Sequence, residues 1–146
     1  MKFNIQQEIF KSALAKVSRM IHNKAIVPAH KNVELILKDN TLAVHACSGE
    51  STLGLLIQDI SIEDSKGPSK IVVEYKPLFE LVSKLPDCNL SVAMNDINMT
   101  VGKVSGLKSA YKLVSFPIKE FEDLLMPRLK AELTTISLPA NVLMQE

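Results

Sequence analysis

Residues 71–86 read IVVEYKPLFELVSKLP, and this stretch decides the fold. Its first four residues, Ile71 to Glu74, open with three β-branched apolar side chains, the composition of a short strand. From Lys76 the period changes to that of a helix, with Pro77 in the first turn, where a missing N–H costs nothing. Leu78, Phe79, Leu81, Val82 and Leu85 form the apolar face, and Lys76, Glu80, Ser83 and Lys84 the polar one. Pro86 stops the helix. The unit is therefore a strand running directly into an amphipathic helix.

The same unit opens the chain. Met1 to Ile5 alternates apolar and polar residues as a strand does, and Gln7 to His22 takes up helical period. On a wheel of about 100° per residue, Ile9, Phe10, Ala13, Leu14, Val17, Met20 and Ile21 share one broad arc. Lys11, Ser12, Ala15, Ser18, Arg19 and His22 lie opposite.

Three strands are expected after each helix. In the first half these are Val33 to Leu37, Leu42 to Cys47 and Thr52 to Ile60, with Asp39-Asn40 as a tight hairpin turn. In the second half they are Leu90 to Met94, Ile97 to Val101 and a strand near Lys108 to Ser115, with a turn at Asn95-Asp96. Residues 63–70, which hold Gly67-Pro68, break every period and mark a surface loop at the midpoint. The order βαβββ thus occurs twice. The expected fold class is α+β, a duplicated βαβββ with two helices packed on one face of a curved antiparallel sheet. The expected core holds Phe3, Ile5, Ile9, Leu14, Val17, Leu35, Leu37, Val44, Val73, Phe79, Val82, Leu85, Val92 and Val101.

Composition sets the class of molecule. The 146 residues are 47% apolar and 23% charged, enough to bury one core. The longest apolar runs, such as Leu53 to Ile57, are far shorter than the roughly 20 residues of a membrane-spanning helix. No apolar stretch follows Lys2, so a secretory signal is not expected and the cytoplasm is the expected location. Cys47 and Cys88 stand apart with no CxxC, and both read as small buried residues. Formal net charge is +1, so a nucleic-acid partner must be argued from where the charges sit.

Catalysis finds little support. The five glycines form neither GxxxxGK nor GxGxxG, and no nucleophile stands beside a base. His45 and Cys47 share one face of a strand, but an ordinary buried pair accounts for them better than a metal does. The aspartates fall mostly at turns, where Asx hydrogen bonding explains them. No enzyme activity, cofactor or metal is expected.

The end of the chain carries a separate signal. Ile136-Ser137-Leu138 followed by Ala140 to Glu146 resembles the strand and helix start at Phe3-Asn4-Ile5. The expected organisation is one domain over residues 1–128, then a linker and the truncated start of a second over residues 129–146.

Taken in order, these residues resemble the bacterial sliding-clamp family, the β subunit of DNA polymerase III. The resemblance is carried by Met1-Lys2-Phe3, Leu14-x-x-Val17, Pro28, Asn32, Leu42, Val73 through Phe79 to Leu85-Pro86, Ser105-Gly106, Phe116-Pro117 and Phe121. It runs from Met1 to about Leu125. The sequence departs from the family at Ala29-His30, where an apolar pair is usual. It departs again at Cys47-Ser48-Gly49-Glu50, and between Ser105 and Tyr111, which is about one residue long.

The resemblance implies a DNA polymerase processivity factor that encircles duplex DNA and tethers the polymerase. The helices would line the hole, placing Lys11, Lys16 and Arg19 of the first, Lys76 and Lys84 of the second, and Lys24 beyond the first toward phosphates. Leu81, Tyr111 and Leu113 would meet a second clamp subunit in a homodimeric ring. Polymerase and clamp loader would bind through domains this chain lacks. With one half of that contact, the isolated chain is expected to be mainly monomeric. The alternative is a protein-interaction module that keeps the fold and has lost DNA encirclement.

Overall fold

Strand β1 (Lys2–Gln6) buries Phe3 and Ile5 and turns Asn4 and Gln6 away, as period 2 requires. It belongs to a computed structural model that describes residues 1–21, 27–48, 51–104 and 110–122. Helix α1 (Gln7–Val17) follows at once, with Glu8 in its first turn and Lys16 in its last, each the favourable sign for the helix dipole. A single 3-10 turn, Ser18–Met20, completes it. The helix is thus shorter than the apolar period running on to Ile21 indicates, because the Ser18 N–H closes back on the Ala15 carbonyl. His22, at the far end of the expected helix, lies outside the described residues.

Four strands complete the first half: β2 (Asn32–Lys38), β3 (Thr41–Cys47), β4 (Thr52–Ile57) and β5 (Ile60–Asp64). Asp39 and Asn40 both take positive φ, 51° and 59°, so the β2–β3 hairpin closes through a two-residue turn of the primed kind. The single strand expected over residues 52–60 breaks at Gln58-Asp59. Its continuation, β5, leaves β3 and pairs with β1 instead. Part of the expected surface loop is therefore an edge strand.

The second half contains β6 (Lys70–Glu74), α2 (Tyr75–Lys84), β7 (Asn89–Met94), β8 (Asn98–Lys103) and β9 (Tyr111–Val114). Asn95 Oδ1 accepts from the N–H groups of Ile97 and Asn98 and shapes the β7–β8 turn.

The strands form two antiparallel sheets, β5-β1-β7-β8-β9 and β4-β3-β2-β6. Each half lends its first strand to the other half's hairpin: β1 pairs with β7, and β6 with β2. The sheets correspond through a pseudo-two-fold axis that exchanges β1 with β6 and α1 with α2. The element that would match β5 is a single bridge from Phe116 to Val72 of β6, with Phe116 N–H donating to the Val72 carbonyl at 2.8 Å.

The helices pack on each other and on both sheets around one core. All the expected core residues belong to it, with Ile9, Phe79 and Leu85 half-buried at its margin and the rest buried. Tyr75 stacks on Phe79 with ring centroids 5.5 Å apart. A smaller cluster of Ala29, Cys47, Val72 and Phe121 seals the segment after β9 onto the β4-β3-β2-β6 sheet. Cys88, expected to be buried, is only half-buried.

Candidate nucleic-acid interface

Because α1 and α2 turn their apolar stripes inward, their remaining residues form one exposed layer. Lys11, Lys16 and Arg19 from the first helix region and Lys76 and Lys84 from the second are all exposed. Two carboxylates, Glu8 and Glu80, share the layer, so cations dominate it. Ser12, Ala15 and Ser18 are exposed between the cations and leave the α1 surface low. Ser83, expected on the polar face of α2, is half-buried instead, with a buried hydroxyl.

None of these five cations forms an ion pair among the described residues, whereas two other lysines do. Lys2 meets Glu63 at 3.4 Å and Lys70 meets Glu122 at 2.9 Å. Exposed cations of this kind can meet an external anion, and their spacing along two helices suits a polyanion better than a point ligand. Phosphate contact without sequence readout is the chemistry this face can perform. Lys24, expected beside them, lies outside the described residues.

The three residues expected at a subunit contact are brought to one flank, where α2 lies against β9. Leu81 and Leu113 are half-buried against the core. Tyr111 is 52% exposed on a strand that ends its sheet, and Val114 on the same strand is 70% exposed. Large apolar side chains on an unpaired edge are the features of a contact surface.

Two features were not anticipated from sequence. Glu34 sits on β2 at 1% exposure, with Oε1 3.3 Å from His45 Nδ1. The hydrogen bond from Lys70 holds the Glu122 carboxyl below the usual carboxylate range, with smaller contributions in the same direction from Glu34 and His45. The bond to Glu122 raises Lys70 in return. A carboxylate inside an otherwise apolar strand, Val33-Glu34-Leu35, was the available signal. The second is a groove of about 540 Å³ between α1 and β4, bordered by Glu8, Lys16 and Leu55. Among the described residues, no group of three His, Cys, Asp or Glu side chains is arranged to hold a metal. No described helix is long and apolar enough to cross a membrane.

The family described as DNA polymerase III beta subunit, N-terminal domain, matches residues 1–126. Among solved structures, the DNA polymerase III subunit beta from Pseudomonas aeruginosa is 20% identical with a TM-score of 0.69, over 95% of this chain and 33% of that one. The Helicobacter pylori beta clamp bound to a DNA ligase peptide is 19% identical with a TM-score of 0.72, over 94% and 34%. Caulobacter crescentus pol III beta is 22% identical with a TM-score of 0.71, over 83% and 31%. The chain thus spans about a third of the length of these structures, and at such identities the likeness is one of fold. No curated protein matches it.

Proposed function

The chain belongs to the family of DNA polymerase III beta subunits through their N-terminal domain, and from that membership we propose that it is the first domain of a sliding clamp. The clamp is a non-catalytic processivity factor that encircles duplex DNA and tethers the replicative polymerase in the cytoplasm. Residues 1–128 form this domain and residues 129–146 lead into the next, all of the latter lying outside the described residues. Duplex DNA meets Lys11, Lys16, Arg19, Lys76 and Lys84, with Lys24 beside them. Leu81, Tyr111 and Leu113 meet a second subunit, and polymerase and clamp loader bind through further domains.

The observation that carries this reading is the layer of exposed cations on two joined helices, none of them in an ion pair among the described residues. Such a wall attracts phosphates through counterion release and offers nothing that grips a base, so the ring holds DNA and still moves along it. The two-helix layer supplies the cations from rigid elements, not loops, which keeps the wall at a fixed distance from the duplex.

The test is topological. A clamp formed with this domain should remain on nicked circular DNA through gel filtration and should be lost when the circle is linearised. Retention indifferent to linearisation would refute encirclement. A folded protein that never associates with DNA would support an interaction module in its place.

A further inference from the structure

Val33 and Leu35 turn into the core, so Glu34 between them points to the face of the β4-β3-β2-β6 sheet turned away from the helices. The registers set four residues in one row across that face: Gly54 of β4, His45 of β3, Glu34 of β2 and Val72 of β6. A Cβ at Gly54 would stand 3.0 Å from His45 Cδ2, so the imidazole leans over the bare glycine on one side. On the other its Nδ1 lies 3.3 Å from Glu34 Oε1. The His45 side chain remains 24% exposed, whereas Glu34 is 1% exposed. Later chain has closed over the carboxyl.

That chain is the segment after β9. Residues 118–122 take a helical turn in which Ile118, Phe121 and Glu122, three and four positions apart, share the side toward the sheet, while Lys119 and Glu120 are exposed. Phe121 is buried among Ala29, Cys47 and Val72, and Glu122 meets Lys70 at 2.9 Å. The backbone adds the bridge from Phe116 to Val72. Among the described residues the segment is thus attached by a small cluster apart from the main core, one bridge and one ion pair near the surface. Attachment and cover act in opposite directions. Phe121 is stabilised by leaving water, and Lys70 by meeting Glu122. Glu34 is destabilised, because dehydrating a carboxyl costs free energy that its contact with His45 offsets only in part. Lifting the segment returns Glu34 to water.

We propose that residues 116–122 are a strap that opens and closes over this sheet without unfolding the domain, held down by Phe121 and the Lys70–Glu122 pair and kept close to release by the buried Glu34. Weakly attached segments that cover few apolar side chains open as local units in this way. Closed, the strap fixes the direction in which the chain leaves the domain. Open, it frees that direction and bares Val72 and the edge of β6. The device lies on the far side of the sheet from the helix cations and uses none of them.

The test is native-state hydrogen exchange on the full chain, read at the Phe116 amide, which donates to the Val72 carbonyl, and at the slowest amides of β2 and β3. The Phe116 amide should exchange at least about tenfold faster than those, with a weaker dependence on denaturant, since opening the strap exposes less surface than unfolding. Lys70→Ala should speed its exchange about twofold and Phe121→Ala at least about tenfold. Glu34→Leu should do the reverse and slow it about threefold, because the strap then covers apolar atoms in place of a carboxyl. Glu34→Gln, of the same size and uncharged, should change it in the same direction, which keeps the sign readable should the leucine variant fail to fold. Circular dichroism confirms the fold of each variant. A Phe116 amide that exchanges at the rate and with the denaturant slope of β2 and β3 would overturn the proposal. So would faster exchange in the Glu34 variants, which would mean that Glu34 holds the strap down through its contact with Glu122.

Discussion

The side-chain amide of Gln7 donates to the carbonyl of Val82 at 2.8 Å, and that carbonyl has a particular need of it. Four residues beyond Val82 stands Pro86, which has no N–H to give, so the helix cannot satisfy the group itself. The pseudo-two-fold partner of this bond joins the Tyr75 hydroxyl to the Leu14 carbonyl, also at 2.8 Å. There the expected donor, Ser18 N–H, has been diverted to Ala15. The same offset of 68 residues relates Gln7 to Tyr75 and Leu14 to Val82. Each helix thus caps an orphan carbonyl near the end of the other. The duplication persists in these two bonds although their donors are chemically different.

Removing either donor should leave a buried carbonyl unsatisfied. Gln7→Leu and Tyr75→Phe are each expected to destabilise the domain by about 1–2 kcal/mol, read from the denaturant midpoint at unchanged slope. Burial pushes the Tyr75 hydroxyl above its ordinary pKa, so the donor stays protonated through neutral pH and its contribution is lost only in strong alkali. A Tyr75→Phe variant as stable as the parent would show that the bond is not what joins the helices.

The helices were legible because each carries its own signals: Pro77 at one start, Pro86 at one stop, and an unbroken apolar stripe along both. The end of the first was not, since Met20 and Ile21 continue the stripe past the point where Ser18 folds back on Ala15. The end of strand β5, at Glu63 and Asp64, falls in the expected loop because Glu63, Asp64 and Lys66 look like solvent-facing residues. They are, but the first two lie on a sheet edge, and the partner that makes β5 a strand is β1, at the far end of this half of the chain. Glu34 shows the same limit. Alternation turns it outward from the main core, and only the later segment through Phe121 and Glu122 returns to bury that face. Local period tells which side a residue takes, not what arrives there afterward. The helix cations were legible as a face, but that none of them forms an ion pair among the described residues needed the fold.

The Glu34–His45 pair should respond unequally to losing each member. His45→Ala removes the imidazole that meets a carboxylate only 1% exposed, and a cost of about 2–3 kcal/mol is expected. Glu34→Leu removes the buried charge itself and fills its space with apolar atoms, so stability should stay within about 1 kcal/mol of the parent. In the Glu34→Leu background, His45→Ala should then cost little. Chemical denaturation of the four proteins closes the cycle, and equal costs for His45→Ala in both backgrounds would mean the pair is not coupled.

The Lys70–Glu122 contact should give a shallow pH dependence with a defined sign. The pair's stabilisation from Glu122 is present above the ordinary carboxylate pKa, because its folded value is lowered, and is lost as pH falls through that lowered value. The contribution from Lys70, whose pKa is raised, is complete below its ordinary value and is lost as pH rises through the raised one. Lys70→Ala should therefore cost a roughly constant amount across neutral pH and nothing at either extreme. Both groups are near the surface, so the plateau should be about 0.5 kcal/mol and should shrink in high salt. A cost that grows steadily toward acid pH would assign the effect to another group.

The cations proposed to face DNA should be separable from the fold. Lys76 is exposed on α2 with no ion pair among the described residues, and Lys24 is proposed beside it at the same duplex. Replacing both with Ala in an assembled ring should weaken DNA retention and reduce the slope of log affinity against log salt by roughly one unit per lost contact. Each phosphate contact releases condensed counterions whatever the sequence, so the loss should be equal on unrelated duplexes. Thermal stability should move by no more than about 0.5 kcal/mol equivalent, the usual effect of an exposed substitution. Three measurements on one double variant therefore separate the possible roles. A reduced salt slope with an unchanged melting temperature places these lysines at the phosphates. An unchanged slope with early melting makes them structural, and a loss confined to one duplex sequence would mean base readout, which a sliding surface excludes.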